Sequence, residues 1–136
     1  MKNDYNTSIT TTERQQMSQK VGGKHMSPEI IIMLTNNDIT VSNAEEVFES
    51  CKDLPAKKWG FKDVGLPKDG MIRLAKKMKE AGKETYIEVV TYTEEGCLEG
   101  AKLAYECGFD YLTGALPFDS VFQYAKEHHL KYSPFC

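Results

Sequence analysis

Lys62 and Glu88 are the two side chains of this chain whose charges and spacing suggest shared chemistry. Each lies in a run of aromatic, β-branched or aliphatic residues that is typical of a β-strand, where side chains alternate between two faces. The large apolar neighbours suit the face that helices would cover, so both charges are expected on the opposite face. A lysine and a carboxylate there supply a Schiff-base amine or a general acid–base pair. The alternative is a structural ion pair without chemistry.

Three polar residues, Asn36, Asn37 and Asp38, follow the first predicted strand. In the first β-to-α loop they would be placed to bind the hydroxyl groups of a substrate. The alternative is a simple turn, because Asn and Asp side chains favour turns by bonding to nearby backbone.

Hydroxyl side chains end the third, fourth and fifth predicted strands, at Thr91, Thr113 and Ser133. The carboxyl ends of parallel strands share one edge of a sheet or one mouth of a barrel, where barrel enzymes keep their active sites. We therefore predict that these three residues contribute to substrate binding.

The stretch from residue 84 to residue 114 shows which elements position these side chains. A strand-like run is followed by Thr93, which can cap a helix, and by an apolar stripe at helical spacing. Gly108 then ends the helix and a second strand follows. Two strands joined through a helix are parallel, with a right-handed crossover.

The same alternation continues through residues 28–136, with five predicted strands and four predicted helices. The strands are expected at 30–34, 59–64, 85–91, 109–113 and 131–135. Ser42 and Glu45 form a capping-box pattern at the start of the first helix. The pattern predicts a parallel (βα)4β unit of the α/β class.

Two architectures accommodate this unit. A doubly wound domain usually covers its last strand with a helix, whereas this sequence ends on a strand. The ending favours the N-terminal half of a TIM barrel, whose full length is nearer 250 residues. A five-stranded flavodoxin-like doubly wound sheet is the alternative.

Residues 1–27 differ in composition from the domain at 28–136. They are rich in Thr, Ser, Asn and Gln and carry little apolar surface to offset the entropy of ordering. We predict a polar leader that is disordered or left over from cloning.

Global composition excludes several classes of function. The net charge of −3 gives no reason to expect nucleic acid binding, and no apolar run is long enough to span a membrane. No secretory signal is recognisable, and the four cysteines form no CxxC pair, so we expect reduced thiols in a cytoplasmic protein. No metal site and no cofactor are predicted.

Residues 88–93 (Glu-Val-Val-Thr-Tyr-Thr), followed by Leu98 and Ala101, resemble the E-V-T-x-R-T segment of the 2-keto-3-deoxy-6-phosphogluconate aldolases. In that family the glutamate is the general acid/base of a Schiff-base aldolase, so the resemblance implies this role for Glu88. Tyr92 stands where the family has an arginine, and the family's Schiff-base lysine belongs to a later strand. The wider resemblance is to the phosphate-binding aldolase and isomerase (β/α)8 barrels.

These observations predict an enzyme, or a fragment of one, that acts on a small phosphorylated sugar or keto acid by proton transfer or carbon–carbon cleavage. Lys62 and Glu88 would be central to it. The alternative is a non-catalytic half-barrel or doubly wound domain that serves assembly or ligand binding. A half-barrel would leave open sheet edges and an uncovered face, so a homo-oligomer is expected.

Overall fold

The computed structural model describes residues 27–135, which form one parallel sheet, a small hairpin and four helices. The strands of the main sheet are β1 (Ile31–Met33), β4 (Lys58–Lys62), β5 (Glu84–Val89), β6 (Tyr111–Gly114) and β7 (Lys131–Ser133). The hairpin contains β2 (Thr35–Asn36) and β3 (Ile39–Thr40). The helices are α1 (Ala44–Cys51), α2 (Lys68–Glu80), α3 (Glu94–Cys107) and α4 (Asp119–Glu127). The polar leader predicted at 1–27 lies outside the described residues, apart from Ser27.

The strands of the main sheet follow one another in chain order, β1-β4-β5-β6-β7, and every pair is parallel. This confirms the predicted parallel (βα)4β unit. A doubly wound sheet reverses its strand order at a switch point, and this sheet has no reversal, so the flavodoxin-like alternative is wrong. Closure into a barrel stays a prediction.

The four helices lie in one layer on one face of the sheet, because each helix contacts the next in chain order. The core between the two layers includes aromatic side chains in edge-to-face contact. Phe48 and Trp59 have ring centroids 5.3 Å apart, and Phe61 and Phe109 have centroids 5.1 Å apart. One face of the sheet is thus covered by helices, and the other carries Lys62 and Glu88.

The ends of α3 agree with the sequence analysis, whereas the start of α1 does not. Thr93 caps α3 by accepting a hydrogen bond from Gly96 N at 3.1 Å, and Gly108 ends the helix with a φ of 75°. The capping box predicted at Ser42 is wrong: Asn43 is the N-cap and makes no side-chain cap bond. Glu45 instead pairs with Lys77 of α2 at 2.9 Å, so its carboxylate is not available to the helix start.

The face of the sheet away from the helices has a packed central row. It consists of Met33, Gly60, Tyr86, Tyr111 and Lys131, which are neighbours in register. Tyr86 and Tyr111 stack at 4.4 Å, and the Lys131 ammonium lies 4.6 Å from the Tyr111 ring centroid. A Cβ at Gly60 would lie 2.4 Å from the Tyr86 carbonyl oxygen, so only glycine permits this close packing. The row forms a floor below the carboxyl ends of the strands.

Candidate functional site

Lys62 and Glu88 are direct neighbours in register at the carboxyl ends of β4 and β5. Lys62 Nζ lies 3.5 Å from Glu88 Oε1, so the two charges share one face of the sheet, as predicted, and are close enough to form an ion pair. Both project from the helix-free face, because Phe61 and Ile87, the residues just before them in their strands, point the other way and are buried against the helices. Their catalytic roles stay a prediction.

Asp38 joins this pair from a direction that the sequence analysis did not foresee. Residues 36–38 were expected in a β-to-α loop, but they belong to the β2–β3 hairpin. Asn37 and Asp38 form its two-residue turn with φ of 49° and 67°, the positive values that a type I′ turn requires. The Asp38 carboxylate, at the tip, accepts a hydrogen bond from Lys62 Nζ. Asn37 and Asp38 therefore form a turn, as the alternative predicted, and Asp38 also contacts Lys62.

The hairpin is fastened to β4 by backbone and hydroxyl contacts of Thr40, which is buried. Thr40 Oγ1 donates to Lys62 O at 2.8 Å and accepts from Lys62 N at 2.9 Å, and Thr40 N donates to Val64 O at 3.0 Å. Gly65 has a φ of +103°, and a Cβ there would lie 2.2 Å from Thr40 O. This docking places Asp38 above Lys62.

Lys62 is a protonated cation between two acids. The hydrogen bond that Lys62 Nζ donates to Asp38 outweighs the effect of burial and, with the nearby Glu88 carboxylate, raises the pKa of Lys62 above its usual range. Lys62 is only 7% exposed, whereas the Asp38 side chain is 86% exposed. With all three groups ionised, the trio of Asp38, Lys62 and Glu88 carries a net charge of −1.

Asp63 is a further acid at this edge that the sequence analysis missed. Its Oδ1 accepts a hydrogen bond from Val90 N at 3.2 Å, and its own N donates to Glu88 O at 3.1 Å. Burial raises the pKa of Asp63. Asp63 ties the ends of β4 and β5 together. The signal that could have found Asp63 is its position directly after the last residue of β4. The alternation of side chains within a strand does not take that position into account.

The three predicted hydroxyl residues have different surroundings. Thr91 lines the cleft beside the trio. Thr113 Oγ1 donates to Ile87 O at 3.0 Å, so its donor is engaged within the sheet. Ser133 is exposed on the outer strand β7, next to Thr113 in register. The structure therefore brings only Thr91 of these three to the cleft.

The cleft has a volume of about 560 Å³ and opens at the carboxyl ends of β4 and β5. All three residues of the trio line it, and the other lining residues are Ile39, Val64, Val90, Thr91, Tyr92 and Phe135. Asn36 and Asn37 do not line it. An opening of about 740 Å³ lies beside α1 and α2, but every residue that lines it is polar or charged. The smaller cleft is the better candidate site because apolar walls adjoin its charged residues.

Within residues 27–135, no group of three or more His, Cys, Asp or Glu side chains is arranged to hold a metal ion, and no helix could span a bilayer. Of the described cysteines, Cys97 and Cys107 are buried and Cys51 is half-buried.

Comparison with protein-family models, curated proteins and solved structures finds no match for this chain.

Proposed function

We propose that the cleft binds a small keto acid or sugar phosphate and catalyses proton transfer next to its carbonyl group, as aldolases and isomerases do. One observation carries the proposal: the Lys62 ammonium is held against Glu88 and Asp38 beside an open cleft. The cleft lies at the carboxyl ends of parallel strands, the edge at which α/β enzymes and barrels place their active sites.

The two central residues take complementary roles. Glu88 Oε1 removes a proton from the carbon next to the substrate carbonyl. The electron pair of the broken C–H bond forms a C=C bond, and the carbonyl oxygen becomes an oxyanion. The Lys62 ammonium stabilises that oxyanion, and Glu88 returns its proton to the same carbon as the carbonyl group re-forms. A positioned cation of this kind contributes most where charge develops.

The raised pKa of Lys62 favours the role of a cation over that of a nucleophile. A Schiff base requires a neutral amine, which enzymes obtain by lowering the pKa of a lysine. Lys62 stays protonated at neutral pH because two carboxylates adjoin it. Aldol cleavage through a Schiff base at Lys62 is thus the alternative mechanism for the same site.

The proposal is tested by incubating the full chain with pyruvate in D2O. We expect protein-dependent loss of the methyl proton signal, measured by proton NMR, as deuterium replaces hydrogen at the carbon next to the carbonyl. Borohydride added to the same mixture should leave the mass of the protein unchanged, because no imine forms at Lys62.

The outcomes separate the readings. Exchange together with a mass increase at Lys62 would show that Lys62 forms a Schiff base and does not act only as a cation. Absence of exchange with pyruvate and with glyceraldehyde 3-phosphate would remove the proposal.

Assembly is a second candidate function, favoured by the open edges of the sheet. β1 and β7 each have one side without a strand neighbour in the described part of the chain. Ile31 on β1 is 41% exposed, and Ile30, the residue before β1, is 75% exposed. We propose a two-fold homodimer in which β1 of each copy pairs in parallel with β7 of the other, so that two half-barrels close.

Light scattering at micromolar concentration is expected to give the mass of a dimer. Ile30→Lys should shift the mass toward the monomer, because a charge at the edge opposes strand pairing. Ile72→Lys is the matched control, since Ile72 is 39% exposed on α2. A monomeric wild-type chain would contradict this assembly.

A further inference from the structure

We infer that the substrate of the cleft is a 2-oxo carboxylate with an aromatic or bulky aliphatic side chain. The inference rests on the proposed function and names its substrate class. Two features of the cleft carry it, the apolar rim and the single ammonium group of Lys62.

The rim consists of three large apolar side chains that stand in water. Tyr92 is 78% exposed, Ile39 is 50% exposed and Phe135 is 45% exposed, and all three line the same cleft. Single exposed apolar residues are ordinary, whereas a cluster around one opening marks a place where apolar surface is buried on binding. Val64 and Val90 add two further apolar side chains to the lining of the cleft. A ligand that touches this rim carries an apolar group.

The charge of the cleft suits a carboxylate better than a phosphate. Lys62 is the only cation among the described residues that line it, and two carboxylates adjoin Lys62. Phosphate carries nearly twice the charge of a carboxylate at neutral pH and is usually held by several donors, such as arginine or backbone N–H groups. One ammonium beside two acids offers too little positive charge for it.

A 2-oxo acid fits the single ammonium. Its carboxylate and keto oxygens are neighbours, so the three N–H donors of Lys62 can reach both. The substrate carboxylate would take the place of Asp38, whose side chain is 86% exposed at a hairpin tip, and would accept the hydrogen bond that Lys62 now donates to Asp38. Glu88 then faces the carbon next to the keto group, and the side chain of the acid extends toward the rim.

The test compares three probes by titration calorimetry on the full chain: pyruvate, phenylpyruvate and glyceraldehyde 3-phosphate. We expect phenylpyruvate to bind at least about tenfold more tightly than pyruvate, because its ring buries apolar surface. Glyceraldehyde 3-phosphate should bind more weakly than phenylpyruvate.

Two substitutions of the rim have matched controls. Tyr92→Ala and Phe135→Ala should each reduce the preference for phenylpyruvate to about two- to threefold, with pyruvate affinity little changed. Tyr105→Ala and Phe122→Ala should keep the full preference, since these residues are 51% and 46% exposed but lie on α3 and α4 away from the cleft.

Equal affinities for pyruvate and phenylpyruvate, tighter binding of the phosphate, or equal effects of rim and control substitutions would overturn the inference. Binding of none of the three probes would also overturn it. Deuterium exchange into pyruvate is the separate readout: if exchange persists while the preference fails, the proposed function stands and only the substrate class is wrong.

Discussion

Replacing Glu88 by Gln is expected to lower the rate of deuterium exchange into pyruvate by at least about 100-fold. An amide cannot accept the proton, and a positioned acid–base group contributes roughly 10²–10⁴-fold to the rate of proton transfer. The Gln side chain has nearly the same shape as Glu, so it still fits beside Lys62, whose Nζ lies 3.5 Å from Oε1 of the wild-type Glu88. The rate is measured by proton NMR in D2O at a fixed protein concentration.

Glu84→Gln is the matched control for this substitution. Glu84 lies on the same strand and the same face, but at the other end of β5, where it accepts a hydrogen bond from the Tyr86 hydroxyl at 2.5 Å. It does not line the cleft. The control should keep the exchange rate within about twofold. A Glu88→Gln protein that folds normally and exchanges at the wild-type rate would show that Glu88 is only half of a structural ion pair.

Replacing Phe61 by Ala is expected to lower the free energy of unfolding by about 3–5 kcal/mol. Phe61 is fully buried between the sheet and the helices and packs edge-to-face on Phe109. Its removal loses the transfer free energy of the ring and leaves a cavity that the surrounding structure fills only in part. Because small domains are stable by roughly 5–15 kcal/mol, this one change consumes a large fraction of the total.

Urea unfolding followed by the fluorescence of Trp59, the single tryptophan, measures the difference. Phe122→Ala is the control, because Phe122 is 46% exposed on α4, and its loss should cost about 1 kcal/mol or less. Similar costs for the two substitutions would mean that the layer between sheet and helices is not the main core of the protein.

Much of the fold and half of the site follow from local patterns in the sequence. The alternation of strand-like runs with helical stripes predicted the parallel (βα)4β unit, and Thr93 and Gly108 marked the ends of α3 as the structure has them. Strand phase also predicted that Lys62 and Glu88 share a face. These predictions hold because side-chain direction within one strand or helix depends only on its own period.

Tertiary structure alone decided the order of the strands and the position of Asp38. Nothing in a local pattern says which strands become neighbours, so the patterns of the strands themselves did not distinguish the unreversed order β1-β4-β5-β6-β7 from a doubly wound order. The hairpin strands are two residues long, too short for periodicity to reveal them. Asp38 reaches Lys62 because Thr40 docks the hairpin on β4, a contact between residues 22 positions apart in the chain. Such pairings are set by packing and hydrogen bonding across elements, which the sequence of any one element does not contain.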